Sequence, residues 1–323
     1  MKFRKKKETA LLLLSACLIC SAEAVQAEEA PVFTVGICQF TRHDSLDAAT
    51  RGFKDTLTQE LGEQVAFEEK EANGDNHICT ILINDLVSRE VDLILANSTN
   101  ALQTAATATT EIPILGTAVT DFETALQQAD FEGETEGNIS GVSDLVPPEE
   151  QAALIRELFP EGTRVGILYC SSESNSRYQA EAIQELLKEK GYTCESYLFV
   201  DSSDLSSVTM TAASECGVLY IPTDNTVASN AGLIANICIP GGVPVITGDE
   251  STCRICGIAS LSVNYYDLGC ATGEMAVQIL TGEKAISELP VQFASSFTKT
   301  YNPVICEQLG FEVPEDFAPL KDE

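Results

Sequence analysis

The chain has 323 residues, of which 44% are hydrophobic, and its 19 Lys and Arg residues against 49 Asp and Glu residues give a formal net charge of −30. This apolar content excludes a disordered acidic chain, and the length predicts one large domain or two domains of about 150 residues each. The negative charge excludes a nucleic-acid-binding protein that relies on a basic surface.

Residues 1–27 have the layout of an export signal. A basic stretch at residues 1–7 precedes an apolar stretch from Ala10 to about Cys20, and small residues then lead into an acidic run. The apolar stretch is shorter than the roughly 20 residues that a membrane-spanning helix needs. The five bases and two acids of this leader leave 14 bases and 47 acids in residues 28–323, so the leader is separate from the acidic body.

Two ways of processing the leader remain open. Leu14-Ser15-Ala16-Cys17 resembles a bacterial lipobox, in which Cys17 is the lipid attachment site and the new N-terminus. Val25-Gln26-Ala27 is a site for ordinary signal peptidase, with the mature chain starting at Glu28. Because no second apolar run of 18 or more residues follows, we expect an exported protein, either periplasmic or lipid-anchored on the outer face of the bacterial cytoplasmic membrane.

The body alternates β-rich apolar runs with helical stretches, which predicts parallel sheets covered on both faces. The first half has predicted strands at residues 32–40, 65–71, 91–96 and 112–119, and predicted helices at 45–61, 78–88 and 100–109. After a loop around residues 137–143, strands are predicted at 164–170, 192–200, 217–221 and 243–247, and helices at 149–159, 176–190, 205–214 and 227–239. The tail adds strands at 258–263 and 291–297 and helices at 268–280 and 304–309.

The two halves repeat a local pattern of hydrophobic strand, polar strand end, helix and short strand with Pro in second place. This repeat predicts an α/β fold of two doubly wound parallel-sheet lobes joined by a multi-strand hinge. We expect residues 32–143 and 250–289 to form lobe 1, and residues 144–249 and 290–323 to form lobe 2. The tail is then expected to return and complete both sheets.

Polar residues follow the predicted strands, at the sheet edge where open parallel sheets bind their ligands. The same residue types are the preferred N-caps of helices, so one such position alone would indicate capping. Many polar strand ends around one cleft favour a ligand site. The candidate residues are Gln39, Phe40, His43, Asn97, Ser98, Thr99, Thr120, Asp121, Ser171, Ser172, Asn175, Thr223, Asp224, Asn225, Asp249, Asn264 and Tyr265.

The sequence favours recognition over turnover. It has no dinucleotide-binding, P-loop, H-E-x-x-H or G-x-S-x-G motif, and His43 has no nucleophile placed by a motif. The ten cysteines after the leader are scattered through apolar patterns and are interpreted as buried thiols. Cys253 and Cys256 have a metal-like spacing, but a zinc site would need two further ligands that the sequence does not supply. We therefore expect no enzyme activity, no cofactor and no metal.

Several stretches resemble extracytoplasmic substrate-binding proteins of ABC transporters with the type I periplasmic-binding-protein fold, in the group with tryptophan- and tyrosine-binding members. The most specific are Ser171-Ser172-Glu173-Ser174-Asn175-Ser176 and Pro222-Thr223-Asp224-Asn225-Thr226. Others are Val35-Gly36-Ile37-Cys38-Gln39-Phe40, His43-Asp44-Ser45-Leu46-Asp47, Gly141-Val142-Ser143-Asp144 and Tyr266-Asp267-Leu268-Gly269. The resemblance covers about Val32 to Gly310, which is nearly the whole body.

The resemblance implies a two-lobed clamp that closes on a hydrophobic amino acid such as tryptophan, tyrosine or phenylalanine. It implies a carboxylate site at Ser98, Thr99 and the backbone of Val119-Thr120. It also implies Asp224 as the ammonium partner with Asp121 as a second candidate, Ser172 and Asn175 as contacts from the other lobe, and Phe40, Tyr265 and Phe122 around the ligand side chain.

The partners that the resemblance implies are the ligand and a membrane complex of ABC permease and ATPase. We expect a monomer that binds no nucleic acid. Two alternatives remain open at this point: the same clamp for a nucleoside or sugar, and a ligand sensor or hydrolase on the same fold.

Overall fold

The computed structural model describes residues 33–128, 133 and 137–321. The leader and both of its candidate processing sites, Cys17 and Ala27, lie outside the described residues. Among the described residues, no helix is both long and apolar enough to cross a membrane.

Strands and helices alternate along most of the described chain. The strands are β1 (Phe33–Gln39), β2 (Val65–Glu71), β3 (Leu93–Asn97), β4 (Ile114–Val119), β5 (Ile139–Ser143), β6 (Arg164–Cys170), β7 (Thr193–Phe199), β8 (Val218–Ile221), β9 (Val245–Thr247), β10 (Ala259–Ser262), β11 (Gln292–Phe293), β12 (Thr298–Tyr301) and β13 (Ala318–Pro319). The α-helices are α1 (Asp44–Leu61), α2 (Asn76–Ser88), α3 (Thr99–Ala108), α4 (Phe122–Leu126), α5 (Pro148–Leu158), α6 (Ser174–Glu189), α7 (Ser202–Glu215), α8 (Asn225–Ala228), α9 (Ala231–Gly241), α10 (Glu250–Cys256), α11 (Tyr265–Leu280) and α12 (Pro303–Leu309).

The strands form two sheets, each the centre of one lobe. The first has the order β11-β5-β4-β3-β1-β2, and all of its pairs are parallel. The second has the order β13-β12-β10-β9-β8-β6-β7, with β12 antiparallel to β10. These two largely parallel sheets confirm the predicted fold class.

Helices cover both faces of each sheet, which is why the central strands are apolar along their length. In β3, Leu93 and Leu95 pack into the core on the side of α1 and α11, and Ile94 and Ala96 pack into the core on the side of α2 and α3. Successive side chains of a strand point to opposite faces, so a fully apolar strand has a core on each side.

The tail of the chain does complete both sheets, but the predicted lobe boundaries need correction. The strand β10 lies within the range assigned to lobe 1, yet it pairs with β9 in the second sheet. The strand β11 lies within the range assigned to lobe 2, yet it pairs with β5 in the first sheet. The sequence of a short apolar strand does not indicate which sheet the strand will join. In the structure the chain passes between the lobes after β5, after β10 and after β11.

Three short helices differ from the predicted elements: α4 and α10 are absent from the prediction, and α8 and α9 are predicted as one helix at residues 227–239. Each of α4, α8 and α10 begins directly after a strand, behind an aspartate whose carboxylate accepts a backbone N–H three residues later. These aspartates are Asp121, Asp224 and Asp249. An aspartate in this position satisfies donors of the first turn and so allows a helix of a few residues to form.

All ten cysteines of the body are described as free thiols, and nine of them are buried, which confirms the predicted burial. The tenth, Cys270, is half-buried. The thiols of Cys38 on β1 and Cys79 on α2 lie 3.8 Å apart.

The helices α1 and α11 touch along their backbones in lobe 1. A Cβ atom on Gly269 would lie 2.0 Å from the carbonyl oxygen of Ala49, and one on Gly52 would lie 2.1 Å from that of Tyr266. Neither carbonyl oxygen can move without moving its helix. The first turn of each helix borders the cleft between the lobes, so this packing also positions the site.

We predict that Gly269→Ala destabilises the protein by about 1–3 kcal/mol, because the added methyl group overlaps the backbone of α1. The matched control is Gly232→Ala in α9, where a Cβ would meet no atom within 4 Å. That substitution should stabilise the fold by up to about 1 kcal/mol, since alanine has the higher helix propensity. Urea unfolding of both variants tests this, and equal effects would contradict the close packing.

Candidate functional site

A small central cavity lies between the lobes, at the carboxyl ends of the strands. Its volume is about 20 Å³. Lobe 1 contributes His43, Leu46, Ala118 and Thr120, and lobe 2 contributes Asn175, Thr223, Asp224, Asn225, Ala228 and Asp249. Asp144 and Tyr265 complete the wall at two of the points where the chain passes between the lobes.

Two larger cavities adjoin the central one along the cleft. One, of about 200 Å³, shares Asn225 with it and is lined by Phe40, Ser172 and neutral polar residues, with Glu173 and Asp201 as its charged residues. The other, of about 270 Å³, shares Tyr265 and is lined by Asn264 and by charged residues that include Arg51 and Arg254. The three cavities therefore lie side by side, with a shared wall residue between the central cavity and each of the others.

The structure brings about half of the predicted site residues to the central cavity: His43, Thr120, Asn175, Thr223, Asp224, Asn225, Asp249 and Tyr265. Phe40, Ser172 and Asn264 line the adjoining cavities. Gln39, Asn97, Ser98, Thr99, Asp121 and Ser171 line none of these three cavities. Asn97, for example, donates to the Leu46 carbonyl oxygen and the Thr50 hydroxyl inside lobe 1.

Sequence reasoning missed four residues of the central cavity: Leu46, Ala118, Asp144 and Ala228. The signal for Asp144 is weak, since the stretch Ile139-Ser140-Gly141-Val142-Ser143 before it has two apolar residues, Ile139 and Val142. Residues 137–143, predicted as a loop, contain the strand β5. Ala118 has no such signal; its φ of 52° marks a left-handed position in an irregular part of β4.

Hydrogen bonds cross the cleft and hold the lobes together. His43 Nε2 lies 3.2 Å from Asn225 Oδ1, and the hydroxyls of Thr120 and Thr223 lie 3.3 Å apart. Ser45 donates to Asp249 at 3.2 Å. Outside the central cavity, the hydroxyls of Thr41 and Ser229 are 3.2 Å apart, and Gln103 donates to Ser174 at 3.3 Å. The lobes are therefore in a closed arrangement.

Three residues of the central cavity carry a buried polar atom without a hydrogen-bond partner. These atoms are Nδ1 of His43, Oδ1 of Asp144 and Oδ1 of Asn175. The Asn175 amide is oriented by its other end, because its nitrogen donates to the Thr223 carbonyl oxygen at 3.0 Å. Ten buried side-chain atoms of the described residues lack a partner, and three of them lie around this one cavity, which indicates a group that supplies donors.

Asp144 is the most costly of the three to leave unpaired. Its side chain is 4% exposed, and its other oxygen accepts a hydrogen bond from the Tyr265 hydroxyl at 2.8 Å. Burial raises the pKa of the Asp144 carboxyl above its ordinary value, interactions with the Tyr265 and Thr120 hydroxyls lower it, and the nearby Asp249 carboxylate raises it. An ionised Asp144 would be stabilised strongly by a cation in the cavity.

Asp224, the predicted ammonium partner, is held by its own lobe. Its two oxygens accept the backbone N–H groups of Cys170 at 2.7 Å and Val227 at 2.8 Å. Burial and the nearby Glu173 carboxylate raise the pKa of Asp224. Its carboxylate faces the cavity with fewer free lone pairs than that of Asp144.

Donors in the central cavity come from hydroxyl groups. The Thr223 hydroxyl accepts a hydrogen bond from the Gln179 amide, so its own proton is available for an acceptor. Thr120 lies opposite in lobe 1, and α1 begins at the cavity wall behind His43, whose side chain makes no capping hydrogen bond to the first helical turn. The cavity thus combines a cluster of acceptors with hydroxyl donors and a helix N-terminus.

A family model and a relative both relate this chain to substrate-binding proteins. A family model described as ABC transporter substrate binding protein matches residues 34–322. A tyrosine-binding protein of Clostridioides difficile is 30% identical over 260 residues, which are 80% of this chain and 75% of that protein.

Two solved structures show how the lobes compare. A Streptococcus pneumoniae ABC domain in complex with L-Trp is 30% identical, covers 88% of this chain and 99% of its own, and has a TM-score of 0.83. A ligand-free, open substrate-binding protein with adhesive properties from Clostridium difficile is 31% identical, covers 90% of this chain and 100% of its own, and has a TM-score of 0.68. At similar identity, the structure of this chain is more similar to the L-Trp complex than to the ligand-free, open protein.

We predict that Asp144→Asn stabilises the ligand-free protein at neutral pH by roughly 1 kcal/mol, because it removes a buried carboxyl with an unpaired oxygen. Folding raises the pKa of Asp144, so the folded protein favours the protonated carboxyl. The contribution of Asp144 to the free energy of unfolding is complete below the pKa of the unfolded chain and is lost as the pH rises through the folded pKa. Melting temperatures of both proteins between about pH 4 and pH 8 test this, the gap widening with pH. A gap that narrows with pH would contradict it.

Proposed function

The chain belongs to the family of ABC transporter substrate-binding proteins, and from this we propose that it is the extracytoplasmic component of an importer that clamps an aromatic amino acid between its lobes. One observation carries the choice of ligand: the three unpaired acceptors of His43, Asp144 and Asn175 around the central cavity.

An α-ammonium group matches these acceptors. It carries three N–H donors and a positive charge, and one of the three acceptors belongs to a buried carboxylate. Sugar and nucleoside hydroxyls are uncharged and would leave the Asp144 charge without a counter-ion. Asp144 is therefore proposed as the ammonium partner in place of Asp224, which remains in the cavity wall as a more distant negative charge.

The α-carboxylate is proposed to contact the threonine pair of the central cavity. The Thr120 and Thr223 hydroxyls carry two protons, and their mutual hydrogen bond across the lobes uses one of them, so the pair can donate the other to the carboxylate. Ser98 and Thr99, implied by the resemblance, lie outside the central cavity, so we move the carboxylate site to the threonine pair. A zwitterion then bridges the lobes.

The ligand side chain needs more room than the central cavity offers, since about 20 Å³ admits a group the size of a water molecule. We propose that the ring extends into the adjoining cavity of about 200 Å³, beside Phe40. The alternative direction, toward Arg51 and Arg254, has four charged side chains in its lining against two beside Phe40, so an apolar ring would displace water from more charged groups there. Phe122, the third predicted pocket residue, packs in the core of lobe 1. An aromatic ligand also agrees with the names of the tyrosine-binding relative and the L-Trp complex.

The proposed role ends with delivery of the amino acid to an ABC permease and its ATPase, without catalysis. The leader is proposed to direct export, and intact-mass analysis of the mature protein would distinguish a lipidated Cys17 from a start at Glu28.

We predict that L-tyrosine and L-tryptophan stabilise the protein against heat, because a ligand that binds only the native state raises its melting temperature. Asp144→Asn should weaken their binding about 100-fold or more, since it removes one partner of a buried charge pair. Titration calorimetry measures this loss.

The control variant is Asp121→Asn, the same chemical change at a helix-capping carboxylate outside the cavity. Its affinity should remain within about twofold of the wild-type value, because a capping change is worth about 1 kcal/mol to the fold and touches no ligand atom. Absence of stabilisation by any amino acid would contradict the proposed function. Equal losses in the two variants would contradict the role of Asp144.

A further inference from the structure

A buried glutamate in lobe 2 holds the residue that meets His43 across the cleft. Glu173 is 1% exposed and lies between the start of α6 and the start of α8. Its carboxylate accepts the backbone N–H groups of Asn225 and Thr226 at 3.0 and 2.8 Å, the Thr226 hydroxyl at 2.7 Å, and the Asn225 side-chain amide at 2.7 Å. The Asn175 amide nitrogen lies 3.4 Å from the same carboxylate. The two backbone N–H groups can only donate, so Glu173 acts as an acceptor, as a carboxylate does.

This arrangement fixes the orientation of the Asn225 amide. A carboxylate cannot donate, so the nitrogen of the amide must face Glu173, and the oxygen must face the other way. That oxygen, Oδ1, lies 3.2 Å from Nε2 of His43 in lobe 1. Because a carbonyl oxygen has no proton to give, the hydrogen of this interlobe bond belongs to His43 Nε2.

The proton position at Nε2 determines what His43 offers to the cavity. In a neutral imidazole one nitrogen is a donor and the other an acceptor. With the hydrogen on Nε2, the buried and unpaired Nδ1 carries a lone pair. An acceptor at Nδ1 suits the donor-rich group that Asp144 and Asn175 also require, whereas an Nδ1–H would point a donor at that group.

We propose that Glu173 is a positioning residue that acts through Asn225 to set the tautomer of His43, and that lobe closure thereby converts His43 into an acceptor for the ligand ammonium group. We call the contacts from Glu173 through Asn225 to His43 the relay. Only its last step, acceptance of a ligand N–H by His43, rests on the proposed function. Its first two steps concern protein atoms and can be tested without ligand. In the open protein the bond to Asn225 is broken, and His43 is free to adopt either tautomer.

The experiment uses ¹⁵N NMR of histidine-labelled protein, which distinguishes the protonated from the bare ring nitrogen. The chain has two histidines, His43 and the exposed His77. The spectrum of the His77→Gln variant assigns the signals of both, and in the protein that keeps His77 its signal is an internal reference. Spectra are recorded at about pH 8, above the ordinary imidazole pKa of about 6.5.

A disulfide across the cleft keeps the lobes closed without ligand. Thr41→Cys with Ser229→Cys replaces two hydroxyls that lie 3.2 Å apart on opposite lobes. In the locked protein we expect one His43 tautomer, with the proton on Nε2, and a mixture once the disulfide is reduced. The protein saturated with L-tyrosine provides a second route to the closed state. A locked or saturated protein with the proton on Nδ1 would overturn the proposal.

Glu173→Gln tests whether Glu173 sets the His43 tautomer. A glutamine amide can present an N–H to Asn225 and so allow the Asn225 amide to turn. We expect the Nδ1–H tautomer to appear in the locked variant and the affinity for L-tyrosine to fall about tenfold or more, because one hydrogen bond to the charged ammonium group is lost. Glu181→Gln, at an exposed position of α6, is the matched control and should change neither.

If Glu173→Gln unfolds the protein, Asn225→Ala removes the middle of the relay and should give a mixture of tautomers in the locked state. A single unchanged Nε2–H tautomer in either variant would overturn the relay. Failure of L-tyrosine to bind would instead contradict the proposed function and leave the tautomer result readable, so the two failures are distinguishable.

Discussion

One constraint governs the cleft: a carboxylate buried between closed lobes needs a counter-charge. Asp144 is 4% exposed, keeps one oxygen without a partner, and has a pKa raised by burial. An unpaired charge in such a place opposes closure, and a cation that enters the cavity removes that opposition. Ligand binding and lobe closure are therefore coupled through the same atom.

Closure also explains why so many polar groups lie around so small a cavity. The bonds of His43 with Asn225, Thr120 with Thr223 and Ser45 with Asp249 join the lobes through neutral or singly charged pairs. Such bonds are individually weak in net terms, because each replaces bonds to water. A clamp held by several of them can close firmly around a ligand and still open to release it.

Much of the fold follows from the sequence, because strand and helix periodicities are local and parallel strands bring their carboxyl ends to one edge. That rule alone placed His43, Thr120, Asn175 and Asp224 at one cavity. It failed where partners are distant: the pattern of β10 does not reveal its neighbour β9, and nothing local tells a capping aspartate such as Asp121 from one with a free oxygen such as Asp144. Burial and hydrogen-bond partners decide that difference.

The central claim is that the cleft recognises an ammonium group, and titration calorimetry with two ligands tests it most directly. L-tyrosine and 3-(4-hydroxyphenyl)propanoate share the ring and the carboxylate and differ by the α-ammonium group alone. The account predicts measurable binding of L-tyrosine and a loss of about 100-fold or more for the analogue, since a buried ion pair loses one partner. Equal affinity for the two ligands would contradict it.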